Sequence, residues 1–219
     1  MLHTGSILSF DTTLFWLING FHHPAMDIFF LSLTTLGNGW VVAPILIVTV
    51  RLKTRGRHFL QVFVVSVLVM SLSGIINSAI KSNVNRPRPA RYFSQQNTLQ
   101  TVTLHTSPSS PDTGTIHFPG PIYYHRSFPS GHTNTAFSAS ALCIALYGGW
   151  FWLSLLPALL VGYSRVYMGI HFPLDVIAGG LLGFSVTYTF VRIWQWYTTH
   201  RSPSSLPHTQ STPYHPFKE

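Results

Sequence analysis

Long apolar runs dominate this chain, and they decide its surroundings before any motif is read. Residues 26–50, 59–80, 133–150, 151–166 and 174–197 are almost free of charge, and a helix needs about 20 such residues to cross a hydrocarbon core. With 46% hydrophobic, 14% aromatic and only 8% charged residues, the chain does not have the balance of a water-soluble domain. Only helices and closed barrels satisfy their own backbone polar groups in lipid. The expected fold is therefore all-α, a polytopic transmembrane helix bundle of five to six crossings. The sixth depends on residues 7–21, which are fewer and carry Asp11 and Asn19. That stretch reads either as an interfacial amphipathic helix, with Leu14, Phe15, Trp16 and Leu17 dipped into lipid, or as a crossing of its own. No cleavable leader is expected, because the first ten residues hold no Lys or Arg.

The expected organisation is an N-terminal segment 1–25, a membrane domain 26–197 with an outer loop at 90–128, and a flexible cytoplasmic tail at 198–219. The outer loop is rich in Ser, Thr and Pro and has no helical or strand period; loops of such length are lids, binding loops or disordered. The net charge of +8 is not arranged as a basic stripe with interleaved aromatics, so nucleic acid is not an expected partner. Arg51, Lys53, Arg55 and Arg57 instead fill one short connection, which the positive-inside rule places in the cytoplasm. Counting crossings from there delivers three polar clusters, at 81–89, 129–132 and 164–175, to one outer face. The lone Cys143 excludes an internal disulfide and reads as a buried thiol. Gly179, Gly180 and Gly183 suit close helix packing in lipid, and Pro44 and Pro157 are expected to kink their helices.

Each cluster sits at the end of an apolar run. Lys81 is followed by Arg88 and Pro89; Pro129, Ser130, Gly131 and His132 are consecutive; Ser164 and Arg165 precede His171 and Asp175. Together they supply two imidazoles, three cations and one carboxylate, an inventory suited to cleaving a phosphate ester. On these three motifs, matched without substitution, residues 59–197 resemble the type-2 phosphatidic-acid phosphatase family of membrane enzymes. That family is related to vanadium haloperoxidases and bacterial acid phosphatases. The resemblance implies a lipid phosphatase working through a phosphohistidine. Its family includes enzymes acting on undecaprenyl diphosphate, phosphatidylglycerol phosphate and lipid A phosphates.

The residues support the same roles on their own chemistry. His171 is the expected nucleophile, Asp175 its orienting carboxylate, and His132 the general acid. Arg88 and Arg165 offer bidentate forks, Lys81 a point charge, Ser130 a hydroxyl, and Gly131 a backbone N–H at a helix start. Arg86, Arg91 and Arg126 stand outside the motif positions and read as ligands of a second phosphate, as headgroup contacts or as solvated charge. His105, His117 and His125 are equally open, and Ser164 reads as loop support. No metal or other cofactor is expected, since Asp11, Asp27, Asp112, Asp175 and Glu219 are the only acids and lie too far apart for a carboxylate-held Mg²⁺. Expected partners are a lipid phosphate substrate and membrane lipids, in a bacterial inner membrane with the site facing the periplasm. A lipid phosphotransferase and an inactive lipid-binding or translocating protein are the alternatives.

Overall fold

The computed structural model describes residues 4–55, 58–95 and 116–200. Expectations for residues 96–115 of the outer loop and for the tail from 201 onward lie outside them. Among the described residues eight α-helices follow one another: α1 (Thr4–Asn19), α2 (Pro24–Thr34), α3 (Gly39–Lys53), α4 (Phe59–Val84), α5 (Pro89–Gln95), α6 (Gly131–Tyr147), α7 (Leu155–Tyr167) and α8 (Pro173–His200). Short 3₁₀ turns, Thr35–Gly37 and Gly149–Ser154, lead into α3 and α7. No strand occurs among the described residues.

The helix boundaries follow local chemistry. His23 caps α2 through its ring, accepting from the Ala25 N–H, and Pro24 fills the first helical position, where a missing N–H costs nothing. Asn38 caps α3 by accepting from Trp40 N, and α4 ends where Asn85 turns left-handed at φ +45°. Among the described residues two helical stretches are long and apolar enough to cross a membrane: Phe59–Ser94, which is α4 with the short α5, and α8. The α2–α3 pair qualifies as a third, bent by 63° at its break. The run read as one crossing at 26–50 is thus a broken pair. Asn38 caps a new helix there, and a Cβ on Gly37 would stand 2.8 Å from His132 Cβ. Outward residues such as Trp40, Leu60, Ile75, Leu181 and Trp196 are exposed and apolar, as a lipid-facing surface requires.

The hub is α6, buried around its whole circumference and packed most extensively on α8. A Cβ on Gly179 would fall 2.4 Å from Ser130 O, and one on Gly183 2.3 Å from Asn134 O. These glycines let two backbones touch, as their spacing suggested. Below them Val69, Leu142, Cys143, Leu146 and Val191 form an apolar core, with the Cys143 thiol free and buried. Substituting Gly183→Ala is expected to lower the heat-inactivation midpoint in detergent through an overpacking cost of about 1–3 kcal/mol. Gly39→Ala, where no atom lies within 4 Å, is the control and should leave the midpoint unmoved.

One expectation for the N-terminus is corrected. Leu17 faces outward, but Phe15 is fully buried against Phe93 and Phe172. The polar residues explain the difference: Asp11 and Asn19 are both fully buried, so α1 turns them, and Phe15 with them, toward protein. Within the supposed structureless loop, Pro89–Gln95 is helical, started by a proline at its first position.

Candidate active site

At one end of the bundle the three sequence clusters converge. Lys81 ends α4 in the last turn, and its Nζ lies 3.9 Å from where a Gly131 Cβ would be. Arg88 follows in the connection to α5. Ser130 precedes α6, Arg165 sits in the last turn of α7, and His171 occupies the turn before α8. The charges of Arg165, Lys81 and Arg88 all bear on His132, half-buried at the start of α6. The second and third motifs are joined through the backbone, Ser130 N donating to Asp175 O at 2.9 Å.

His171 is 2% exposed, and its two ring nitrogens face different groups. Nδ1 lies 3.5 Å from Asp175 Oδ2 and 3.4 Å from Ser127 Oγ, while Nε2 faces Arg88 Nη1 at 3.4 Å. Asp175 Oδ2 also accepts from the Ser127 hydroxyl and from Phe172 N at 2.9 Å. The carboxylate therefore has a fixed attitude, and a proton on Nδ1 leaves the Nε2 lone pair pointing at the cations. Burial holds the His171 imidazole far below the usual histidine range, at about 3; hydrogen bonding to Asp175 pulls upward, and Arg88 presses it further down. The ring is uncharged at neutral pH, as a nucleophile must be.

The cations are held from outside the motifs. Arg165, 6% exposed, donates from Nη1 to Thr34 Oγ1 at 2.8 Å, while its Nε is buried with no protein acceptor. Arg88 donates from Nε to His125 O and from Nη1 to Ile170 O at 3.3 Å, and its guanidinium stacks over Tyr123. A buried guanidinium N–H without a partner, beside Lys81, Arg88 and an imidazole lone pair, is suited to a tetrahedral anion. Ser130 Oγ accepts from Thr133 Oγ1, which leaves its own proton free to donate. Ser164 donates back to Val161 O and only braces α7.

Residues that local sequence reading did not place here include Thr34, Ser127 and Asp11. Arg86, left open between three roles, ion-pairs with both Asp11 and Asp175. Arg91 contacts the His125 ring on the exposed side of Arg88. His117 lies elsewhere, bonded through Nε2 to Asp27 at 2.8 Å and stacked on His22. Asn19 fixes that second polar cluster by donating to His117 O and Tyr167 O. Among the described residues no group of three His, Cys, Asp or Glu side chains gathers as a metal site would.

A helical membrane protein with a buried histidine–aspartate pair beneath a group of cations is the class that fold and site define together. Residues 62–199 match the model of the PAP2 superfamily, and the chain belongs to that superfamily. It is similar to undecaprenyl-diphosphatase of Sulfolobus acidocaldarius, 43% identical over 76 residues, covering 34% of this chain and 36% of that protein. It is also similar to lipid A 4'-phosphatase of Porphyromonas gingivalis, 26% identical over 214 residues, covering 95% of this chain and 83% of the relative. Among solved structures, LpxE of Aquifex aeolicus superposes with a TM-score of 0.63 at 29% identity, covering 83% of this chain and 94% of that one. The chain thus spans about a third of the archaeal relative and most of the other two.

Proposed function

We propose that this chain is an integral membrane lipid phosphatase that removes phosphate from a lipid phosphate or diphosphate through a phosphohistidine. The observation that carries this reading is the His171 ring, with Nδ1 toward Asp175 and Nε2 toward Arg88. In the proposed reaction Nε2 attacks phosphorus, the P–O bond to the lipid breaks, and His132, protonated once the bound phosphate anion offsets the cations around it, gives its proton to the departing oxygen. Lys81, Arg88, Arg165, the Ser130 hydroxyl and the Gly131 N–H hold the equatorial oxygens. Water, deprotonated by His132, then breaks the N–P bond and releases phosphate.

The site faces the periplasm of a bacterial-type inner membrane in this reading, with five crossings. Arg51, Lys53 and Arg55 lie at the opposite end of α4 from Lys81. At about 1.5 Å per residue the 26 residues of α4 outspan a hydrocarbon core of about 30 Å. Arg91 and His125, beyond the pocket, favour a headgroup with more than one anionic or polar part. Lipid A and undecaprenyl diphosphate, the substrates in the relatives' names, have such headgroups.

Purified protein in detergent, with a metal chelator present, should release inorganic phosphate from one of four lipids: lipid A, undecaprenyl diphosphate, phosphatidylglycerol phosphate or phosphatidic acid. No acceptor lipid should be needed, which separates hydrolysis from phosphotransfer. Release that stops with chelator and returns with a divalent cation would overturn the metal-free mechanism.

A further inference from the structure

Arg86, two positions before the motif arginine, turns its guanidinium to two carboxylates. Its Nη1 donates to Asp175 Oδ1 at 2.7 Å and its Nη2 to Asp11 Oδ2 at 2.6 Å. One face of the guanidinium lies 4.4 Å over the Phe172 ring. Both carboxylates are fully buried, so each depends on Arg86 for charge compensation. Asp11 reaches the same place from the opposite direction, since its Oδ1 accepts from Leu174 N in the first turn of α8 at 2.9 Å. The Arg86 carbonyl in turn accepts from Ser127 N at 2.8 Å, which sets the segment whose hydroxyl bonds Asp175. The contacts on Asp175 divide its oxygens: Oδ1 belongs to Arg86, and Oδ2 to His171, Ser127 and Phe172 N.

We propose that Arg86 and Asp11 are positioning residues for phosphoryl transfer. Arg86, clamped between α1 and α8, holds Asp175 ionised and turned so that Oδ2 meets His171 Nδ1. The proposal rests on the function set out above. When Nε2 bonds to phosphorus, positive charge develops on the imidazole, and a carboxylate fixed at Nδ1 stabilises it. Arg86 touches neither the phosphate nor the reacting atoms, so its loss should appear in kcat and not in KM. A lysine in its place is a point charge that cannot span two carboxylates with a planar fork.

The test uses the full chain in detergent with undecaprenyl diphosphate and lipid A as probes, and Arg86→Ala, Arg86→Lys, Asp11→Asn and His171→Ala as variants. Arg86→Ala should lose about 10- to 100-fold in kcat, the usual scale for groups that orient a reactive residue, with KM unchanged. Low-millimolar guanidinium should restore much of that loss while leaving the wild type unaffected, a rescue that misfolded protein would not give. Arg86→Lys should fall between the two. Asp11→Asn should lower kcat in the same sense, and adding it to Arg86→Ala should cost little more, because the two act as a unit. A raised KM with intact kcat in Arg86→Ala, or a kcat loss that guanidinium leaves untouched, would overturn the proposal. Full activity in Arg86→Ala beside an inactive His171→Ala overturns the proposal alone; turnover in His171→Ala overturns both it and the reading of the site.

Discussion

His171→Ala is expected to abolish phosphate release from every lipid substrate, by about 10⁴-fold or more, in protein that still folds and inserts. The size follows from what the ring does in both half-reactions of the proposed mechanism. Its Nε2 forms the bond that replaces the lipid–oxygen bond, and that nitrogen lies 3.4 Å from Arg88 Nη1. Water could enter the space left by the ring, but it would arrive without Asp175 behind it, since the carboxylate is oriented by Ser127 and Phe172 N toward the ring position. The wild type, quenched during turnover of a labelled substrate, should carry label in an acid-labile, base-stable bond that the variant lacks. Because burial keeps His171 uncharged down to about pH 3, labelling should persist at pH 5, where an ordinary histidine is largely protonated. Turnover by His171→Ala within tenfold of the wild type would remove the phosphohistidine.

The motif residues were legible because each cluster is local. His171 and Asp175 are four positions apart, and Lys81 and Arg88 seven, so spacing at the ends of apolar runs already put them on one side. Their supports were not legible, since they reach across the chain. Arg86 meets Asp175 over 89 positions and Arg165 meets Thr34 over 131, and no local period encodes either pairing. Asp11 is instructive, because a carboxylate in a short apolar segment suggests a helix lying at the interface, whereas here it is matched by a half-buried arginine. Only the balance of charge hinted at this: with five acids in the chain, a carboxylate inside an apolar run is more readily placed against a cation than in lipid.

Apolar length was likewise an incomplete guide to the helices. It found α4 and α8, whose outer faces meet lipid, but α6 and α7 run only 17 and 13 residues. Other helices cover α6, whereas α7 keeps Leu156, Leu159 and Leu160 on an exposed apolar face. The interruption at Gly37, Asn38 and Gly39 was visible as a break, yet its purpose lies in three dimensions. The chain bends there because Gly37 packs against the backbone and Cβ of His132, so an accident of composition on one helix shapes the site on another.

His132→Gln is the second large effect expected, and it should depend on the leaving group. On a lipid monophosphate the departing oxygen is an alkoxide that needs a proton as the bond breaks, so loss of the acid should cost about 10²–10⁴-fold. p-Nitrophenyl phosphate expels a stabilised phenolate, and its first step should be nearly spared. The second step still needs a base to deprotonate water, and His132 is the second imidazole of the site, half-buried and under the charges of Arg165, Lys81 and Arg88. The variant should therefore release one equivalent of nitrophenol per site in a burst and then stall, with label trapped on His171. In the wild type the two steps should keep pace, without a burst. Equal losses on both substrates, without a burst, would show that His132 positions the helix start and moves no proton.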